Sequence, residues 1–141
     1  MFALTFWMSV GILCATMAGV AIGMGWYGAL AKPWMHAAGL TPEALTKPDG
    51  SSAASPLLYA GSTLSQLVMA AILSGIIHHA GGYSVRTGLI SASLCWVGFV
   101  ATTTAVNNAF QQKPLMLTLI DAGYWLCVML AMGAIIGFIG R

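Results

Sequence analysis

Asp121 is the residue that most invites a chemical reading. It sits in "TLIDAGYW" at 118–125 and is the only acid within a long apolar run. An ionisable group in such surroundings is costly to hold. It marks a proton or cation relay, a polar ligand site, or a hydrogen-bonded fastening between helices. Asp121 lies seven residues beyond Pro114, which places it about 10 Å along a helix at about 1.5 Å per residue. Counting back an equal distance through the turn "QQKP" at 111–114 reaches Thr102. The stretch "TTTAVNN" at 102–108 therefore brings Thr102, Thr103 and Asn107 opposite the carboxyl group. With no second acid or base beside it, a lone carboxyl favours the fastening role over a relay.

A second polar cluster, Ser62, Thr63, Ser65 and Gln66, interrupts an earlier apolar run. Serine and threonine hydroxyls can bond back to their own helix, so Gln66 is the member that needs a partner elsewhere. Three histidines, His36, His78 and His79, stand at the ends of apolar runs, and Arg86 flanks the turn after the His pair. Adjacent histidines point to different sides of a helix, and no ligand spacing for zinc or haem accompanies them. Cys14, Cys95 and Cys127 fall inside apolar runs without CxxC spacing, which reads as packing rather than metal or disulfide chemistry. No Gly-rich loop follows a strand, and no Ser/His/Asp set is visible. The residues nominate no catalytic group, no metal site and no cofactor.

Glycine and aromatic placement carries more. Gly19-x-x-x-Gly23 and Gly133-x-x-x-Gly137 each lay a smooth stripe on a helix, which lets another backbone approach closely. In "GMGWYGALAKPWM" at 23–35, Trp26, Tyr27 and Trp34 cluster where the first apolar run ends. Aromatic rings with polar edges settle at that depth, so the three read as an interfacial anchor.

These residues need elements to hold them, and composition says which. Hydrophobic residues make up 59% of the chain and charged residues 6%, against about 25% charged in soluble domains. Five basic and three acidic side chains cannot cover the surface of a 141-residue soluble fold. The first basic residue is Lys32, and further charge-free runs cover 50–85, 87–112 and 122–140. Each can supply the roughly 20 residues that cross a bilayer as a helix. The runs lack the alternation of barrel strands. The expected architecture is an all-α integral membrane protein: one four-helix transmembrane domain over 1–141, with spans at about 3–31, 56–79, 85–109 and 114–139. The first run is expected to be retained rather than cleaved, because no basic residue precedes it and it outruns a 7–15-residue signal core.

The one long connection, 32–55, contains "LTPEALTK". With Thr41 as N-cap, Pro42 at N1 and Glu43 in the first turn, it predicts a short amphipathic surface helix. "KPDGSSAASP" reads as a flexible linker into the second span. One membrane face carries Lys32, Lys47 and Lys113, and the other carries Arg86 and Arg141. The positive-inside rule then favours the lysine face as cytoplasmic. "KPWM" at 32–35 and "KPLM" at 113–116 form a faint internal echo. A net charge of +2 does not make a nucleic-acid surface.

Three features together resemble the domain of unknown function 1761 family. They are "GWYGALAKPWMHAAGLTPEAL" at 25–45, "WVGFVATTTAVNNAFQQKPLMLTLIDAGYWLCVMLAMGAIIGF" at 96–138, and the four-span layout. The resemblance covers nearly the whole chain. Its most specific parts are Trp26-Tyr27 with Trp34, "GFVATT" at 98–103, Asn107 or Asn108 before the Lys-Pro turn, and Asp121-Ala122-Gly123-Tyr124. It implies a small four-span membrane protein of bacteria or fungi, and no assigned reaction. In the family's pattern Asn often stands at the place of Asp121, which favours hydrogen bonding over a required charge.

The function expected from the sequence is non-enzymatic: a self-associating protein, or an accessory subunit of a larger membrane complex, in a bacterial inner (plasma) membrane. Its partners are then the lipid bilayer and copies of itself or other membrane subunits, with no nucleic acid. The alternative is a small oligomeric transporter or channel with a polar site around Asp121.

Overall fold

The computed structural model describes residues 2–140. Four long helical segments dominate. Helix α1 covers Phe2–Ala29 and α3 covers Pro56–His79. The third segment is α4 (Val85–Cys95) running through a π-helical turn, Trp96–Ala101, into α5 (Thr102–Phe110). The fourth is α6, Leu115–Ile139. The apolar stretches of these segments are 24, 24, 26 and 25 residues long. At about 1.5 Å per residue each exceeds the roughly 30 Å hydrocarbon core of a bilayer. The fold is all-α and of the integral-membrane type.

The segment starts follow from local chemistry. Ser55 caps α3 by accepting the Leu58 N–H at 3.3 Å, with Pro56 at the first helical position. Ser84 caps α4 through the Thr87 N–H at 3.0 Å. Each satisfies one amide that has no intrahelical partner.

Two expectations about the first connection need correction. The connection expected from residue 32 opens with a helix rather than a loop: α2 spans Ala31–Ala38, with Pro33 in its first turn. Amides of a first turn have no intrahelical acceptor, so proline's missing N–H costs nothing there. This helix is amphipathic, with Ala37 buried, Trp34 and Met35 half-buried, and Lys32 and His36 exposed. It ends at Gly39, whose φ of 73° is the left-handed conformation that glycine adopts freely. The segment expected to be helical from Thr41 is instead a single 3-10 turn, Pro42–Leu45, and the Thr41 side chain does not cap it. The linker folds into a hairpin-like turn. Thr46 pairs with Ser52, and Asp49 accepts both the Ser51 N–H at 2.9 Å and its hydroxyl at 2.6 Å. Those bonds hold the exposed Asp49 carboxyl below its ordinary range.

Helix α6 is the axis of the bundle. It packs along both α1 and α4, while α3 lies mainly against α1 and more lightly on α6 and α4. The core reflects this: Tyr124, Val128, Met129, Met132 and Ile136 of α6 meet Ala15 of α1, Ala70, Leu73 and Ile77 of α3, and Ala92 of α4. The α4–α6 contact is backbone on backbone. A Cβ at Gly88 or Gly137 would collide with the carbonyl of Gly133 or Ser84, and one at Gly133 would collide with the carbonyl of Gly88. The Gly133/Gly137 stripe is therefore consumed inside the chain.

The other end of α3 is open. Every residue from 56 to 65 is exposed, and Gln66 is the first buried one. Helix α3 thus meets the bundle along its second half, and an open cleft separates its first half from α1. Lys113 Nζ reaches the Ala38 carbonyl at 3.5 Å, which draws the α5–α6 turn to the end of α2 on that side. Arg141 lies outside the described residues.

Candidate functional site

Polar groups of all four long segments converge on one stretch of α6, Ile120–Tyr124. Tyr27 of α1 donates its hydroxyl to Asp121 Oδ1 at 2.9 Å. The indole N–H groups of Trp26 and Trp96 reach the carbonyls on either side of Asp121: Ile120 O at 3.1 Å and Ala122 O at 2.8 Å. A helical carbonyl has a second lone pair, so these bonds add to the helix ladder rather than replace it. Gln66 Nε2 of α3 donates to the Tyr124 hydroxyl at 3.2 Å.

Asp121 is thus fastened, but to a different helix from the one the sequence suggested. Thr102 and Thr103 do not face it. Their hydroxyls bond back to the carbonyls of Gly98 and Phe99, within the π-helical turn. A π turn disturbs the regular i→i+4 ladder, and in a bilayer its carbonyls need donors from the protein itself. The threonines that follow the turn supply them. Asn107 is exposed and makes no side-chain hydrogen bond among the described residues. The polar link between the third and fourth segments is its neighbour, with Asn108 Nδ2 donating to Thr118 Oγ1 at 3.0 Å. Asn108 and Thr118 lie equally far from the turn at Lys113, a symmetry countable from the sequence alone.

Gly19 and Gly23 do not form a backbone crossing either. They are seats for side chains. A Cβ at Gly19 would collide with Gln66 Oε1, and one at Gly23 would stand 3.1 Å from the Tyr124 hydroxyl. Gly123 plays the same part for the Trp26 ring, 3.1 Å from a Cβ placed there. The aromatic trio also departs from a simple rim anchor. Trp26 and Tyr27 turn inward onto α6, and Trp34 of α2 meets the Tyr27 ring edge-on, with centroids 5.6 Å apart. Tyr27 in turn packs on Tyr124, with centroids 5.0 Å apart. What decides their direction is the hydrogen-bonding edge of each ring, which finds a protein acceptor on α6.

Gln66 is 2% exposed, and its Oε1 has no donor among the described residues. Its other end, Tyr124 and Tyr27 form the floor of the cleft between α1 and α3, a space of about 570 Å³. That volume lies within the range of small-molecule sites, about 300–1,000 Å³. Ser62 and Thr63 of the second polar cluster line its α3 wall, and Ser65 bonds back to Gly61 O at 2.9 Å. Sequence reasoning placed neither Trp96 nor Thr118 in the polar site, and it took Tyr124 only as part of the family pattern. Tyr124 carried a usable signal, since it shares a helix face with Asp121 at i+3 spacing.

The histidines remain apart from this centre. His78 and His79 are exposed at the end of α3, where the His78 ring meets Tyr83 with centroids 5.8 Å apart. Among the described residues, no three of His, Cys, Asp and Glu gather closely enough to hold a metal ion.

No curated protein and no solved structure matches the chain. A family model described as "Protein of unknown function (DUF1761)" matches residues 10–137. That interval takes in the whole polar centre, from Gly19 on α1 to Gly137 on α6, and on this match the chain belongs to the DUF1761 family.

Proposed function

We propose that this chain is a non-enzymatic protein of a bacterial inner (plasma) membrane that works by association within the bilayer. It acts either with copies of itself or as an accessory subunit of a larger membrane complex, and without nucleic acid. The observation that carries the reading is a lateral groove of about 340 Å³ between α3 and the π-helical turn, lined by Val68, Ile72, Phe99 and Met129 among others. Phe99 is 72% exposed at its edge, and beside it Gly98 has open space where a Cβ would stand. Lipid covers any apolar surface, but a concave one edged by glycine also accepts a packed helix. The four long segments described are already packed on one another, so another chain would supply such a helix.

Native mass spectrometry of the protein in mild detergent tests this. An assembly above the monomer mass, or a co-purifying subunit, is expected, and Val68→Trp, which fills the groove, should remove it. A monomer alone, or an assembly that Val68→Trp leaves intact, refutes the reading.

The second reading, a small oligomeric transporter or channel, draws on the α1–α3 cleft that ends at Tyr27 and hence at Asp121. It requires a proton or ion flux in proteoliposomes that a folded Asp121→Asn variant loses.

A further inference from the structure

We infer that the cleft between α1 and α3 is a binding site for a neutral, membrane-soluble molecule recognised through a carbonyl oxygen. The inference is independent of the association proposed above, which uses a different face of α3.

The hydrogen-bond inventory of the cleft points to the ligand's chemistry. The Tyr27 hydroxyl spends its proton on Asp121, and Thr63 donates to its own helix at Tyr59 O, 3.0 Å away. The Tyr124 hydroxyl accepts from Gln66 Nε2 at 3.2 Å. Its own proton has no acceptor among the described residues, although Tyr124 is only 6% exposed. The Ser62 hydroxyl, on the α3 wall, likewise has no partner among the described residues. Gln66 cannot complete the set. Its Nε2 is the end that meets Tyr124, while Oε1 lies against Gly19, buried without a donor and turned away from the Tyr124 proton. The centre is therefore short of one good acceptor at the cleft floor. A buried hydroxyl left without one loses a bond worth having in a bilayer interior.

The remaining walls say what carries that acceptor. Val20, Met24 and Trp125 are apolar, and the Tyr27, Tyr59 and Tyr124 rings add flat faces. No Lys, Arg, His, Asp or Glu side chain lines the space, so nothing in it would neutralise an ionised headgroup. A carbonyl on a ring or a fatty chain fits; a phosphate finds no cation to pair with, and an ammonium has no lone pair to accept the Tyr124 and Ser62 protons. Entry is from the bilayer side, between the exposed first half of α3 and α1. Two sources share the recognised chemistry: the ring carbonyl of a quinone and the acyl ester of an uncharged glycerolipid.

Titration of the full chain in nonionic detergent with decyl-benzoquinone and, separately, with dioctanoylglycerol, read by native mass spectrometry, tests the site. Decylbenzene serves as the carbonyl-free control. Saturable one-to-one binding of either carbonyl probe is expected, and which one binds identifies the source. Tyr124→Phe removes the donor while keeping the ring and should weaken binding about tenfold, the value of one hydrogen bond. Because that change also takes the partner of Gln66, Ser62→Leu provides a second arm. It lies on an exposed face, does not touch the core, and should weaken binding at least about tenfold by filling the cleft. The inference is overturned if neither carbonyl probe binds saturably, if decylbenzene binds as well as they do, or if Ser62→Leu binds with unchanged affinity.

Discussion

Replacing Gly88 by alanine is the sharpest test of how this bundle is held together. A methyl group there would run into the carbonyl of Gly133, and its immediate neighbours are backbone atoms, which cannot rotate aside as a side chain does. Helices α4 and α6 must then separate by a large part of a methyl diameter. Overpacking of a close-packed site costs about 1–3 kcal/mol, and a backbone-on-backbone clash belongs at the upper end. Alanine's better helix propensity returns roughly 0.8–1 kcal/mol, so a net loss of about 2 kcal/mol is expected. Gly25 provides the internal control. It lies on α1 with nothing within 4 Å of the place a methyl group would take, so Gly25→Ala should be neutral or stabilising by up to about 1 kcal/mol. Gly19→Ala should fall between the two, because its clash is with the end of the Gln66 side chain, which can swing away by giving up its bond to Tyr124. Reversible unfolding in mixed micelles, followed by circular dichroism, gives the three free energies. The packing argument fails if Gly88→Ala is as stable as the parent, or if Gly25→Ala loses as much as Gly88→Ala.

Three further outcomes follow from the polar centre and the loop. A double-mutant cycle of Tyr27→Phe with Asp121→Leu should show a coupling of about 0.6–1.7 kcal/mol, whereas Thr102→Val with Asp121→Leu should show none; coupling through Thr102 instead would restore the pairing of third and fourth segments expected from sequence counting. Trp96→Phe keeps the ring volume in part but drops the bond to Ala122 O, so a loss of about 1 kcal/mol is expected, and melting in detergent unchanged from the parent would contradict it. For the 46–52 turn the sign comes from Asp49. Its carboxyl is held below the ordinary value by the Ser51 hydroxyl and amide, so it stabilises the folded turn when ionised, and that contribution disappears as pH falls through the lowered folded-state value. The protection factor of the Ser51 amide, its exchange measured against the intrinsic rate at each pH, should therefore fall on acidification, and Asp49→Ala should remove that dependence; a protection factor indifferent to both would refute it.

The membrane class and the four segments were determined by the sequence alone, because an apolar helix that crosses a bilayer is an autonomous event. Its backbone bonds close within the segment, and composition over about 20 residues decides it. The breaks at 80–84 and 111–114 were legible for the same local reason, as was the need of Gln66 and Asp121 for hydrogen-bond partners on other helices. Which helix takes up each polar group was another matter. Side chains on a uniformly apolar helix carry little periodic signal about which face turns inward, and α1 and α6 are apolar all round. Only packing decided that Gly19 and Gly23 seat Gln66 and Tyr124, while Gly133 meets Gly88 backbone to backbone. The hairpin count that set Thr102 opposite Asp121 assumed a regular helix. The π-helical turn at Trp96–Ala101 breaks that register and draws the Thr102 and Thr103 hydroxyls onto its own carbonyls. Asp121 was left for Tyr27, 94 positions away in sequence. A pairing at that separation is fixed by how α1 lies along α6, which is a property of the assembled bundle and of no segment within it.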